Sequence, residues 1–510
     1  MRLMTQSVYS YSYDFLVFAS VFYNTAPYAC MFLRTSGNCL LPCYDTIRKI
    51  TLSKSMSPLT EQHDSMFLCY VKEKVKILQP RDKTVVLPID EIHVQQFFDD
   101  KDGSVVGAAS NSKEAAKPTF AFVVSSILSK YKDVVHVLPT CTINGEQLFA
   151  LIQRTIRGLE EAGFHVISDI TDNTNINRKA MSSFAVPPKL SFVYPHPCDL
   201  SRPLFFLFDS VHIFKCIMNN WINQKSAGKC MMYPSLQEKV QSDNCEITRF
   251  ELSSPVSIAQ SSFNALKQLH QLEYDSTVRF AHNLSLKKLE LSTFERQNVN
   301  LAVRICNDFV AQALVDHGRK RSILDCHDTS IYIKIISTWW DVVNVKTPMK
   351  GLHKINPYQQ PLTKRDTEPR RFPNFVLKWL LAWEEIPGDC GKLSEETFTA
   401  LWNTCYGLLS VADYCLSELG LNYVHLGKFQ TDCLEARFGQ YHQHPGGKYD
   451  IFLRQVFESE KKLRLLSTLK LKLREKDITS TNFELDWNDF VRVPNDSPEQ
   501  LVLLCYLTIF

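Results

Sequence analysis

"FLFDSVHIFKCIMNNWINQK" (Phe206–Lys225) changes character at a single residue. Phe206–Phe208 close an apolar run that reads as a buried strand. Asp209 follows, and the apolar residues then recur at helical spacing with Asn and Lys between them. A strand that turns at once into an amphipathic helix belongs to an α/β layer. A lone carboxylate at such a join is costly unless it is paired, caps the helix or meets a cation. His212 and Lys215 lie within the next two turns.

Working outward, the sheet-forming texture begins near residue 66. "KTVVLPIDEIHV" (Lys83–Val94) reads as a strand carrying Asp90. "DDKDG" (Asp99–Gly103) is an Asp-Gly hairpin turn, and "SVVGAA", "TFAFVVSSIL" and "DVVHVLP" supply further strands. A helix follows in "NGEQLFALIQRTIRGLEEAG", with Asn144 and Gln147 as a capping box and Gly163 as its stop. The strand "FHVISD" (Phe164–Asp169) then precedes the opening stretch. Hairpin strands come first and crossover strands second.

From about 226 to 385 the texture turns helical, clearest in "FERQNVNLAVRICNDFVAQAL" and "SIYIKIISTWWDVVN". A Pro-punctuated loop closes that region. The helix "SEETFTALWNTCYGLLSVADYCLSELG" then starts on Ser394, Glu395 and Glu396. Residues 1–60 read as helical.

The 510 residues are 45% apolar and 22% charged, the balance of an ordinary globular chain. A net charge of +3 gives no global field toward nucleic acid, so any such partner must be held by local patches. Sixteen cysteines without a C-x-x-C pair fit a reduced compartment better than a disulfide scaffold. Cys39 and Cys43 have no second pair at finger spacing. "FLVFASVFY" is too short to span a bilayer and reads as a packed helix.

Asp90, Asp169 and Asp209 each stand at the end or centre of an apolar strand. Several carboxylates on strands that can lie side by side suit a hard divalent cation, which needs few protein oxygens. Two such ions can activate a water or 3′-hydroxyl at a phosphodiester. "GKFQTDCLEARFGQYHQ" (Gly427–Gln443) adds Asp432 and Glu435 on one helix face. Strand-end aspartates also begin turns and cap helices, and that alternative stands for each one singly.

The ordered set "IDEIHV", "VISDITDNTNINRK", "FDSVHIFKCIMNNW" and "TDCLEARFGQYHQ" resembles the P-element transposases and the THAP-domain proteins related to them. "YDFLVFASVFYNTAPYACMFLR" with "LPCYDTIRKI" resembles their helical segment before the catalytic domain. The resemblance implies an α/β RNase H-like domain interrupted by a large, mainly helical insertion. By position it implies an N-terminal segment (1–60), a first catalytic part (66–225) and a GTP-binding-like insertion (226–385). A second catalytic part with the distal Glu (386–475) and a tail (476–510) complete it.

The implied metal ligands for Mg²⁺ or Mn²⁺ are Asp90, Asp169 and Glu435, with Asp432 beside them and Asp172 competing past the strand end. Asp209 then becomes a neighbour that caps the next helix or orients His212 and Lys215. "WWDVVN" (Trp339–Asn344) resembles the family's guanine-contacting stretch, with Asp341 and Asn344 toward GTP. No Walker A loop supports this, since "GDCGKLS" (Gly388–Ser394) has the wrong spacing. The implied activity is DNA cleavage and strand transfer at transposon ends and target, by a nuclear, self-associating protein with no membrane contact. The alternative is a catalytically inactive, domesticated nucleotide- or DNA-binding regulator. The absent THAP finger and the apolar ending "EQLVLLCYLTIF" read as an incomplete copy.

Overall fold

The computed structural model describes residues 11–37, 39–47, 68–101, 104–224, 228–237, 250–274, 279–290, 292, 295–349, 351, 355–388, 390–443 and 450–475. The Asp102-Gly103 turn, the end of "LPCYDTIRKI" and the 476–510 tail lie outside them. The chain divides into two compact units, Arg48–Arg464 and the two terminal stretches Met1–Ile47 with Leu465–Phe510.

In the terminal unit, α1 (Tyr13–Thr25) and α2 (Pro27–Thr35) are helical as the sequence suggests. Ser12 caps α1 by accepting from Phe15 N, and Pro27 opens α2 at the one position where its missing N–H costs nothing. Ala19, Cys30, Leu41 and Ile47 form a small core there.

The larger unit begins with α3 (Cys69–Val75), β1 (Thr84–His93), the short ribbon β2 (Asp99–Lys101) and β3 (Ser104–Val106), β4 (Pro118–Ser126) and β5 (Lys132–Pro139). Then follow α4 (Gly145–Ala162), β6 (His165–Thr171), α5 (Asn175–Ser182), β7 (Val193–His196), β8 (Asp199–Phe208) and α6 (Ser210–Asn223). Six of these strands form one sheet in the order β5-β4-β1-β6-β8-β7. β1, β4 and β5 are antiparallel, whereas β1, β6 and β8 run parallel. Hairpin strands thus precede crossover strands, as read from the sequence. The parallel strands are buried on both faces, which explains their unbroken apolar texture.

The capping box of Asn144 and Gln147 forms, and Gly163 ends α4 at φ +100, a conformation that favours glycine. Phe149 of α4 meets Phe184, which meets Phe206 of β8, placing α4 and α5 on one face of the sheet.

After α6 the chain is not purely helical. β9 (Cys230–Pro234) and β10 (Ile258–Ser262) form a two-stranded sheet, short strands whose pairing is too distant in sequence to read from periodicity. α7 (Phe263–Leu272) follows. The predicted long helix around residue 300 is split into α8 (Val299–Ile305) and α9 (Asp308–Ala313). Asn307 causes the break: its side chain accepts from Val310 N and starts a new helix. α10 (Cys326–Val343), α11 (Glu368–Glu384), α12 (Glu395–Ser417), α13 (Asp432–Gln443) and α14 (Leu453–Glu475) complete the order.

This helical region packs within the same compact unit as the sheet. Trp221 of α6 is fully buried, edge-on to both Phe263 of α7 and Tyr332 of α10. On the sheet face away from α4, Tyr414 of α12 meets Phe205, and Gly407 approaches Leu207 so closely that an added Cβ would lie 2.5 Å from it.

Trp221→Ala should lower the unfolding free energy by about 3–5 kcal/mol, measured by denaturant titration. A loss under about 1 kcal/mol would mean that Trp221 does not hold α6 to the helical region.

Candidate metal centre

Register decides which aspartates meet. Pro88 of β1 pairs with Ile170 of β6, and Ile170 pairs with Leu207 of β8. Two residues further on, Asp90, Asp172 and Asp209 therefore stand in one row across the ends of three neighbouring strands. Alternation puts all three on the same face. The bond from Asp209 N to Thr171 O, 2.9 Å, holds the row together past the end of β6. Parallel strands in open α/β sheets offer ligand sites at this C-terminal end.

α13 packs against β1 and β4 and brings Glu435 to the same place. The electrostatics report this convergence. Burial and the neighbouring Asp172, Asp209 and Glu435 push the Asp90 carboxyl well above the usual carboxylate range, against a stabilising bond from Glu91 N. Asp209 is raised to about 6 by its burial, by Asp172 and by Glu435.

Two cations offset the crowding. His212 Nδ1 lies 3.0 Å from Asp172, and Lys215 Nζ lies 3.8 Å from Glu435. Burial works against protonation of His212, but Asp172 and Cys216 carry its pKa up to about 10. Asp172 is half-buried, which raises its proton affinity, yet the same histidine and Lys215 hold it below the ordinary aspartate value.

Asp209 answers the question posed by its place in the sequence. Its side chain accepts from His212 N at 2.8 Å, capping α6, and from Thr431 N at 3.0 Å. One carboxylate therefore starts the helix bearing His212 and Lys215 and ties down the entry to α13. Gln430 adds to the tie, donating to Ser210 Oγ and Val343 O.

The structure brings together Asp90 and Glu435 but not the other expected ligands. Asp169 pairs with Leu87 and Phe206, one face away from Asp90. It is fully buried on the α4 side, neither carboxylate oxygen has a hydrogen-bond partner, and burial raises its pKa well above the usual range. In place of Asp169 the row contains Asp172. Alternation along β6 says only that Asp169 and Asp172 face opposite ways; the register with β1 decides that Asp172 shares the face of Asp90. Asp432 is likewise drawn away, paired with Lys346 at 2.5 Å.

Asp341 and Asn344 lie at the C-terminal end of α10, where Asn344 is the cap residue. The Asp341 carboxylate accepts from the side-chain amides of Asn356, at 2.8 Å, and Gln359.

Among the described residues, no three His, Cys, Asp or Glu side chains already enclose an ion-sized site. The donor set nevertheless suits Mg²⁺ or Mn²⁺ in kind: oxygen ligands only, with burial and the neighbouring Asp172 and Glu435 raising the proton affinity of Asp90. A cleft of about 390 Å³ lined by Glu91, His93, Gln95, Phe438, His442 and Asp450 includes none of the acids Asp90, Asp172, Asp209 and Glu435. A cavity of similar size at Asn111, Gln147 and Arg154 shares none of these residues.

Residues 62–185 match the family described as TNP-like, RNase H N-terminal domain. The solved Drosophila P element transposase strand transfer complex has a similar fold, with a TM-score of 0.69. The alignment has 15% identity over 90% of this chain and 93% of that one. The fold is P-element-transposase-like. The resemblance read from the motifs is thereby borne out, as is the RNase H-like core. No curated protein sequence matches the chain. Among the described residues no helix is long and apolar enough to cross a membrane.

Asp169→Asn should raise the unfolding midpoint at pH 8 and leave it nearly unchanged at pH 4. The folded state holds the Asp169 proton more tightly than the unfolded chain, so stability falls as pH rises above the ordinary aspartate range. Thermal melts at the two pH values check this. An equal shift at both would show that ionisation of Asp169 is not the burden.

Proposed function

We propose that this protein is a metal-dependent DNA transposase, or a remnant of one, in which Asp90, Asp172 and Glu435 hold Mg²⁺ or Mn²⁺. The observation carrying this reading is the row of carboxylates at one end of the parallel strands, with Glu435 delivered onto it by α13. Bound there, such ions would activate a water or 3′-hydroxyl and stabilise the leaving oxygen of a phosphodiester. The chain's own groups do the rest. Asp209 fixes α6 and the entry to α13, and His212 and Lys215 present positive charge beside the acids, suited to a DNA phosphate. The substrates are DNA ends and a DNA target, approached by salt-sensitive phosphate contacts. The place of action is the nucleus, and the active form is an oligomer.

Nicking of supercoiled DNA with Mg²⁺ or Mn²⁺ tests the site. Asp90→Asn and Asp172→Asn should each reduce the rate at least ~100-fold, while Asp169→Asn keeps it close to the parent. Loss in Asp169→Asn with full activity in Asp172→Asn would overturn the ligand assignment.

Guanine nucleotide belongs to the same proposal. Asp341 accepts two amide donors, the pattern that the N1–H and exocyclic amine of guanine would present in exchange. GTP should bind by calorimetry, more weakly in Asp341→Ala, with ATP much weaker. Equal binding of GTP by Asp341→Ala would remove Asp341 from the site.

A second reading, a catalytically inactive regulator, is favoured by the ion pairs that already occupy Asp172 and Glu435. DNA binding without any metal-dependent cleavage would establish it.

A further inference from the structure

Glu460 of α14 is fully buried, 0% exposed, and its carboxylate is shared among side chains of two helices. Arg437 of α13 grips it in bidentate fashion, with Nε 2.8 Å from Oε2 and Nη2 2.7 Å from Oε1. The Tyr441 hydroxyl, one turn further along α13, donates to Oε2 at 2.6 Å. Arg464 lies 3.4 Å away on Glu460's own helix. Arg437 also stands 3.9 Å from Asp133 of β5, which Lys74 and Tyr70 of α3 hold from the other side.

Such a network is a poor source of stability, because desolvating five charged groups offsets most of their attraction. What it supplies is direction, since a bidentate arginine–carboxylate pair fixes distance and angle together. Glu435 and Arg437 are two positions apart on α13, so they project about 200° apart around its axis. Clamping Arg437 on the far side therefore sets where Glu435 points. Thr431 and Gln430 fix the start of α13, Leu434 buries one face of it, and the Arg437 clamp is the polar hold on its far half. A roll of 20° would displace a side-chain tip by roughly 2 Å, more than a metal ligand tolerates.

We propose that Glu460 is a positioning residue: through Arg437 and Tyr441 it sets the roll of α13 that presents Glu435 to Asp90 and Asp172. This rests on the reading of that cluster as a metal centre.

Mn²⁺ titration of the full chain, followed by calorimetry without DNA, tests it alongside thermal melts. Glu460→Gln keeps the size of the side chain but weakens the arginine grip. Its Mn²⁺ affinity should fall about 10–100-fold, at a temperature where the melt shows it folded. Tyr441→Phe, which removes one hydroxyl only, should show a smaller loss in the same direction and serves if Glu460→Gln does not fold. A merely structural role would lower the melting temperature and leave the affinity of the folded protein unchanged. That result, with parent binding intact and weakened by Glu435→Gln, overturns the positioning role alone. A parent that binds no Mn²⁺ overturns the metal reading and this role with it.

Discussion

Like charges gathered at the edge of a sheet repel one another, and the fold must supply whatever lets them stay. Here burial, joined by Asp172 and Glu435, raises the proton affinity of Asp90 and Asp209, while His212 and Lys215 offset Asp172 and Glu435. Both cations ride on α6, which begins at Asp209. The residue that adds to the crowding therefore also launches the helix that relieves it. Removing its charge would take away the cap, the tie to Thr431 and part of the repulsion together, so its role cannot be reduced to any one of these.

Fold class and strand order were legible because they depend on local signals. The capping box at Asn144, the stop at Gly163 and the strand-to-helix join at Asp209 each need only a few adjacent residues. The β9–β10 pair was not legible, because its strands are short and their partners lie more than twenty residues apart. The break at Asn307 was missed for another reason. A capping side chain inside a run with good helical periodicity competes with that periodicity, and the pattern alone does not say which prevails.

The site was half legible. Asp90 and Glu435 follow from motif and place in the chain. Asp169 looked right because it closes an apolar strand, but strand position and strand facing are different properties. A shift of three residues reverses the face, and that parity moves Asp169 under α4 and Asp172 into the row. The cost of the misplaced carboxylate is visible in its two oxygens without partners. Burial raises its proton affinity, against one backbone contact from Ile170.

The two ends of α13 explain how Glu435 reaches acids carried by strands far earlier in the chain. At its entry, Asp209 and Gln430 bind the backbone and side chains of the preceding segment to α6 and to the end of α10. At its far half, Arg437 and Tyr441 bind Glu460. The first set passes through Val343, one residue from Asn344. The C-terminal end of α10 is therefore tied to the same segment that delivers Glu435. The long helical region between α6 and α12 is in this sense part of the scaffold of the carboxylate cluster, since the end of α10 helps to hold α13 in place.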